Sequence, residues 1–152
     1  MILCDWQIRD EEIVDPLDET RLNPASLDLT ISSARVWNMV DGREQEDTGV
    51  VWLRPGWPVL VSTCERVRMP ALLAGQLVLK SSMGRRGVSM PAAGWVDPGF
   101  EGTLTVQLSA CVPVVLRVGD PFIQLVLHRM AGEAEAIYSG RYQGQDGVTL
   151  AR

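Results

Sequence analysis

Short β-prone runs, cut repeatedly by glycine and proline, most constrain what this chain can fold into. Candidate strands fall at 26–31, 34–39, 50–53, 59–62, 65–69, 75–79, 103–108, 114–118, 123–128 and 134–138. Turn signals recur between them: Asp41-Gly42, Arg54-Pro55-Gly56, Asp97-Pro98-Gly99 and Gly119-Asp120-Pro121. Many short strands with this punctuation predict an all-β sandwich or jelly roll. Residues 4–14 predict one short N-terminal helix with Asp5 as its cap, broken by Asp15-Pro16. The length, 152 residues, suits a single domain over 1–152 with one core.

Composition excludes several classes of function. The formal net charge of −5 argues against a general nucleic-acid surface, which is normally basic. No apolar run approaches the ~20 residues needed to span a bilayer, and the start lacks the pattern of a signal peptide. Cys4, Cys64 and Cys111 are widely spaced and odd in number. They read as reduced thiols in or near the core of a cytoplasmic protein. With one histidine, His128, and no C-x-x-C pair, the chain lacks the ligand set of a zinc-dependent nucleobase deaminase. His128 lies in an apolar strand-like run and reads as structural rather than catalytic. The acidic stretch 41–47 reads as a solvated loop.

Two segments carry polar chemistry. Lys80-Ser81-Ser82-Met83-Gly84-Arg85-Arg86-Gly87 gathers three cations, two hydroxyls and two glycines, the most positive stretch of an acidic chain. Such a loop can bind a polyphosphate or simply be a solvated turn; it is not a P-loop, because G-x-x-x-x-G-K-[ST] is absent. The end of the chain, Gly140-Arg141-Tyr142-Gln143-Gly144-Gln145-Asp146-Gly147, is too polar and glycine-rich for a core strand. Its composition leaves a frayed tail and a C-terminal lid over 139–152 equally open.

Several blocks, taken in order along nearly the whole chain, resemble the dCTP deaminase branch of the dUTPase superfamily. They are Met1-Ile2-Leu3-Cys4-Asp5, Asn23-Pro24-Ala25-Ser26-Leu27-Asp28-Leu29, Lys80-Ser81-Ser82-Met83-Gly84-Arg85, the run from Ala93 through Asp97-Pro98-Gly99-Phe100 to Gln107, and Arg141-Tyr142-Gln143-Gly144-Gln145. The resemblance implies a distorted jelly roll, a homotrimer with active sites between subunits, and a pyrimidine deoxynucleoside triphosphate as ligand. It also implies Mg²⁺ carried on the triphosphate, with no direct protein ligand and no zinc. By position, Lys80, Ser82, Arg141 and Gln145 resemble triphosphate-binding residues, with Tyr138 and Tyr142 contributing. Arg85 resembles an arginine required for activity. Ser81 and the backbone carbonyl of Ala93 resemble two of the three groups that hold the attacking water. Asp97 resembles the aspartate that contacts the deoxyribose and, in dUTPases and bifunctional members, orients or activates water for phosphoanhydride attack.

The third water-holding group in that family is a catalytic glutamate, and this chain has Gln107 there. A carboxylate takes and returns a proton; a primary amide near neutral pH does not. The amide can still face either pyrimidine edge, so dCTP, dUTP or dTTP (the last as an inhibitor) all suit it. Three readings follow. The chain is a zinc-independent dCTP deaminase-type hydrolase (dCTP plus water giving dUTP plus ammonia) impaired at Gln107, whether that residue is natural or introduced. Alternatively it is a dUTP diphosphatase that uses Asp97, although Pro98-Gly99-Phe100 resembles the deaminase branch more than the dUTPase Ser-Asp-Tyr pattern. In the third reading it is a non-catalytic pyrimidine nucleotide-binding protein.

Overall fold

A computed structural model describes residues 1–32, 36–91 and 94–151. Helix α1 spans Asp5–Asp10. The strands that follow are β1 (Val14–Asp15), β2 (Leu22–Asn23), β3 (Ser26–Thr30), β4 (Trp37–Asn38), β5 (Arg43–Glu44), β6 (Val50–Leu53), β7 (Val59–Arg68) and β8 (Leu73–Leu79). Helical turn α2 (Ser81–Gly84) precedes β9 (Val88–Ser89), β10 (Trp95–Val96), β11 (Glu101–Ala110), β12 (Val114–Arg117) and β13 (Pro121–Arg129).

Among the described residues the strands form two main antiparallel sheets. One runs β5-β4-β7-β11-β9, with β1 also paired to β7; the other runs β10-β8-β13-β3-β2. A small β12-β6 ribbon completes the set. Alternation builds the core between them. In β11, Leu104, Val106, Leu108 and Ala110 are buried, while Thr105, Gln107 and Ser109 on the other face are half-buried. Ile123, Leu125 and Leu127 of β13 and Leu27 and Leu29 of β3 supply the facing layer. Strand β3 is buried on both faces, so Ser26, Asp28 and Thr30 lie in a polar interior opposite those leucines. Buried polar groups need partners, and Thr30 shows the pattern: its N–H and hydroxyl donate to buried Glu65 at 2.9 and 2.6 Å.

The predicted all-β architecture with one short N-terminal helix is what forms, with differences of detail. The helix is shorter than 4–14, and Cys4, not Asp5, occupies the N-cap. Its N–H and thiol both face the Gln7 side-chain carbonyl, at 3.1 and 3.3 Å. The predicted strands 59–62 and 65–69 are one continuous strand, β7, because β11 pairs along nearly its whole length. The segment 134–138 is not a strand. The predicted strand 34–39 reduces to Trp37–Asn38, and residues 34 and 35 lie outside the described residues. Cys64 and Cys111 are exposed rather than near-core, and Cys4 is half-buried. No helix among the described residues is long and apolar enough to cross a membrane.

Candidate active site

The basic loop is a tight turn of helix anchored from inside. Lys80 enters it with its N–H donating to Phe122 O (3.1 Å), and Lys80 O accepts from Met83 N and Gly84 N. Met83 is buried, which pins the turn and leaves Ser81, Ser82 and Arg85 exposed. The three cations of this segment have different fates. Arg86 donates to Val115 O at 2.6 Å and so ties the loop to β12. The ammonium of Lys80 pairs with Asp28. Arg85 faces outward. Gly87 closes the loop at φ 85°, where a Cβ would stand 2.9 Å from Cys111 Sγ and from Val112 Cγ2.

Asp97 sits at the exposed tip between β10 and β11. Phe100 N–H donates back to Asp97 O at 3.1 Å, making the Asp-Pro-Gly turn. Gly99 N–H donates to Met69 O and Met69 N–H to Phe100 O, which lock the turn to the end of β7. From here β11 carries Gln107 on its outer face, beside Thr105 and opposite Leu60 of β7. Gln107 is half-buried, and its amide has no hydrogen-bond partner among the described residues.

The C-terminal segment is not frayed: it docks along β11. Tyr138 N–H donates to Pro98 O, and its ring lies 5.8 Å from that of Phe100. Gln143 bridges Gly99 O and Glu101 N; Gln145 exchanges two bonds with the backbone of Thr103. Further on, Thr149 N–H donates to Thr105 Oγ1 at 3.0 Å. Glu101 anchors the same region through Arg68 and Arg66 at 3.2 and 3.3 Å. The Arg68 hydrogen bond and charge, then those of Arg66, hold its carboxyl below the usual glutamate range.

Between the tail and the ends of β10 and β11 lies a cavity of ≈ 390 Å³. Asp97, Tyr138, Tyr142 and Gln145 line it, together with Trp95, Phe100 and Thr105. The geometry thus brings four of the predicted residues around one space. Lys80, Ser81, Ser82, Arg85, Arg141 and Gln107 do not line that cavity, so within one chain the candidates fall into separate groups. Ala93 lies outside the described residues. Sequence reasoning missed Trp95, whose ring meets that of His128 at 6.0 Å, and Thr105, which holds the tail. It also missed Asp28, although alternation in Leu27-Asp28-Leu29 already sets that carboxylate on the face opposite the leucines.

The profile of dCTP deaminase-like domains matches residues 3–130. A dCTP deaminase of Thermococcus kodakarensis is 35% identical over 156 residues, covering 100% of this chain and 98% of that protein. A protein of Parafrankia sp. named "dCTP deaminase, dUMP-forming" is 40% identical over 181 residues, covering 100% and 90%. Among solved structures, the 2′-deoxycytidine 5′-triphosphate deaminase of Agrobacterium tumefaciens superposes with a TM-score of 0.74 at 22% identity. That match takes in 84% of this chain and 47% of the other, so the chain spans about half of that protein's length. The dUTPase of Streptococcus mutans gives 0.53 at 20% identity, over 79% and 94%. By its sequence over nearly its full length, and by its fold, the chain belongs to the dCTP deaminase family of the dUTPase-like superfamily.

Proposed function

We propose that this protein binds a pyrimidine deoxynucleoside triphosphate in a site built for hydrolytic deamination of dCTP, and that Gln107 holds turnover low. The observation that carries this reading is Gln107 itself. It is an unpartnered amide on the outer face of β11, within a chain whose other blocks resemble the family's motifs, with Lys80 standing where their basic loop begins with arginine. In the cavity, Asp97 would hold the deoxyribose and Tyr138, Tyr142 and Gln145 would reach the phosphates; on the loop, Ser82 offers a hydroxyl and Arg85 a guanidinium.

The two groups lie apart within one chain, which supports a homotrimer whose sites each draw on two subunits. Among the described residues no three His, Cys, Asp or Glu side chains gather as metal ligands. A Mg²⁺ ion on the triphosphate oxygens would neutralise phosphate charge. The phage φ11 dUTPase neighbour is described as coordinating a structural Mg(II) ion.

Deamination adds water at C4, delivers a proton to N3 and expels ammonia from N4. Ser81 and Gln107 can orient the water, and the Gln107 carbonyl can accept from the N4 amine while its NH₂ donates to N3. The proton relay is what the amide lacks. Loss of such a relay typically costs ~10²–10⁴-fold. A second reading, hydrolysis of dUTP to dUMP through Asp97, draws support from that residue's exposed place on the cavity wall and from the dUMP-forming relative.

Product chromatography separates these readings. The protein and its Gln107→Glu variant are incubated with dCTP or dUTP and Mg²⁺, and dUTP, dUMP and diphosphate are followed. The expected result is deamination by the variant alone. Rapid dCTP turnover by the unaltered protein sinks the proposal. Conversion of dUTP to dUMP, with no deamination gained by the variant, selects the diphosphatase. Tight nucleotide binding with no turnover by either protein selects a non-catalytic binder, with dTTP then tested as a competing ligand.

A further inference from the structure

Lys80 is the only lysine among 14 Lys and Arg residues, and its side chain is held. Asp28, 8% exposed in the middle of β3, takes the Lys80 ammonium on Oδ2. Its other oxygen, Oδ1, accepts from Asn23 Nδ2 at 2.9 Å and from Gln124 Nε2 at 3.2 Å. Gln124 is steadied in turn by Ser26 Oγ, and Asn23 also donates to Arg21 O. A buried carboxylate with one cation and two amide donors is a compensated charge. The backbone of the same lysine starts the turn that presents Ser81, Ser82 and Arg85. Asp28 therefore grips that loop from beneath through its first side chain. Fixing a flexible lysine in advance removes an ordering cost otherwise met on binding.

We propose that Asp28 is a positioning residue for phosphate binding: by fixing Lys80 it presets the loop that offers Ser82 and Arg85 to a triphosphate. The proposal rests on the triphosphate reading above. Calorimetry with dCTP and dCMP on the parent, Asp28→Asn, Lys80→Met and the double variant tests it. Asp28→Asn is expected to weaken dCTP by about tenfold, the scale of one charge-assisted bond, and dCMP by less than about twofold. Because Asp28 acts through Lys80, the double variant is expected to match the weaker single variant rather than multiply the two losses. Unchanged dCTP affinity in Asp28→Asn, equal losses for dCMP and dCTP, or multiplying losses each overturn the proposal.

A second measurement needs no variant. With one lysine, NMR of the protein labelled in lysine shows a single side-chain Nζ signal. A slowly exchanging, visible ammonium is expected. A signal that exchanges as fast as free lysine overturns the proposal even if substituted proteins do not fold. A parent that fails to bind dCTP at all counts against the triphosphate reading instead, and the NMR signal still decides whether Asp28 fixes Lys80.

Discussion

On the proposed function, a single atom type at position 107 decides what the site can do. Glutamate and glutamine fill the same volume and reach the same points, but only the carboxylate moves a proton at neutral pH. Replacing Gln107 by Glu is expected to raise dCTP deamination by at least ~10²-fold, read as initial rate of ammonia release. The strand itself should tolerate the change, because the side chain is half-buried and faces away from the core. Glycine 99 is the opposite case, a residue fixed by space. Its φ is 85°, and a Cβ would stand 2.6 Å from Ile137 Cβ. Gly99→Ala is expected to destabilise by about 1–3 kcal/mol, measured by urea unfolding, and to loosen the turn that carries Asp97.

At the scale of elements, the docked tail and the Glu101 cluster are coupled through the start of β11. Residues 139–151 are held by hydrogen bonds to β11, with Tyr142 half-buried against the core. Removing them is expected to lower the melting temperature by only a few degrees while weakening dCTP by about tenfold or more, since binding loops draw on low-stability segments. Equal affinity in the truncated protein would assign the tail a purely structural role. Glu101 has its pKa lowered in the fold by Arg68 and Arg66. A depressed folded pKa means the stabilisation is complete above the ordinary glutamate value of 4.5 and is lost as pH falls through the lower folded value. Thermal melts from about pH 6 down to pH 3 should therefore show a steeper acid-side loss in the parent than in Glu101→Gln. The effect is small because the cluster is exposed and salt weakens it further.

For the whole molecule, the separation of the Ser81–Arg85 loop from the Asp97 cavity makes subunit mixing the informative experiment. In a Gln107→Glu background, Ser81→Ala and Asp97→Asn proteins are each expected to be inactive. If the proposed trimer holds, the two unfolded and refolded together should regain about a quarter of the Gln107→Glu rate, because a randomly mixed trimer pairs an intact loop with an intact cavity at that frequency. No recovery would place both groups in one subunit's site. The sequence was legible where the signal is local. Alternation in 103–108 and 123–128, and turns such as Asp97-Pro98-Gly99, announced the strands and the sheet-rich class, because side-chain period and turn conformation depend on near neighbours. The tertiary structure decided what depends on distant partners. It joined 59–62 to 65–69 by pairing them with one strand, denied strand pairing to 134–138, and laid the tail on β11. It also sorted the three cations of one loop into different roles, giving Lys80 to a carboxylate 52 residues away, Arg86 to a carbonyl of β12 and Arg85 to solvent. Strand pairing and charge pairing are contacts between remote segments, and only the folded chain chooses the partner.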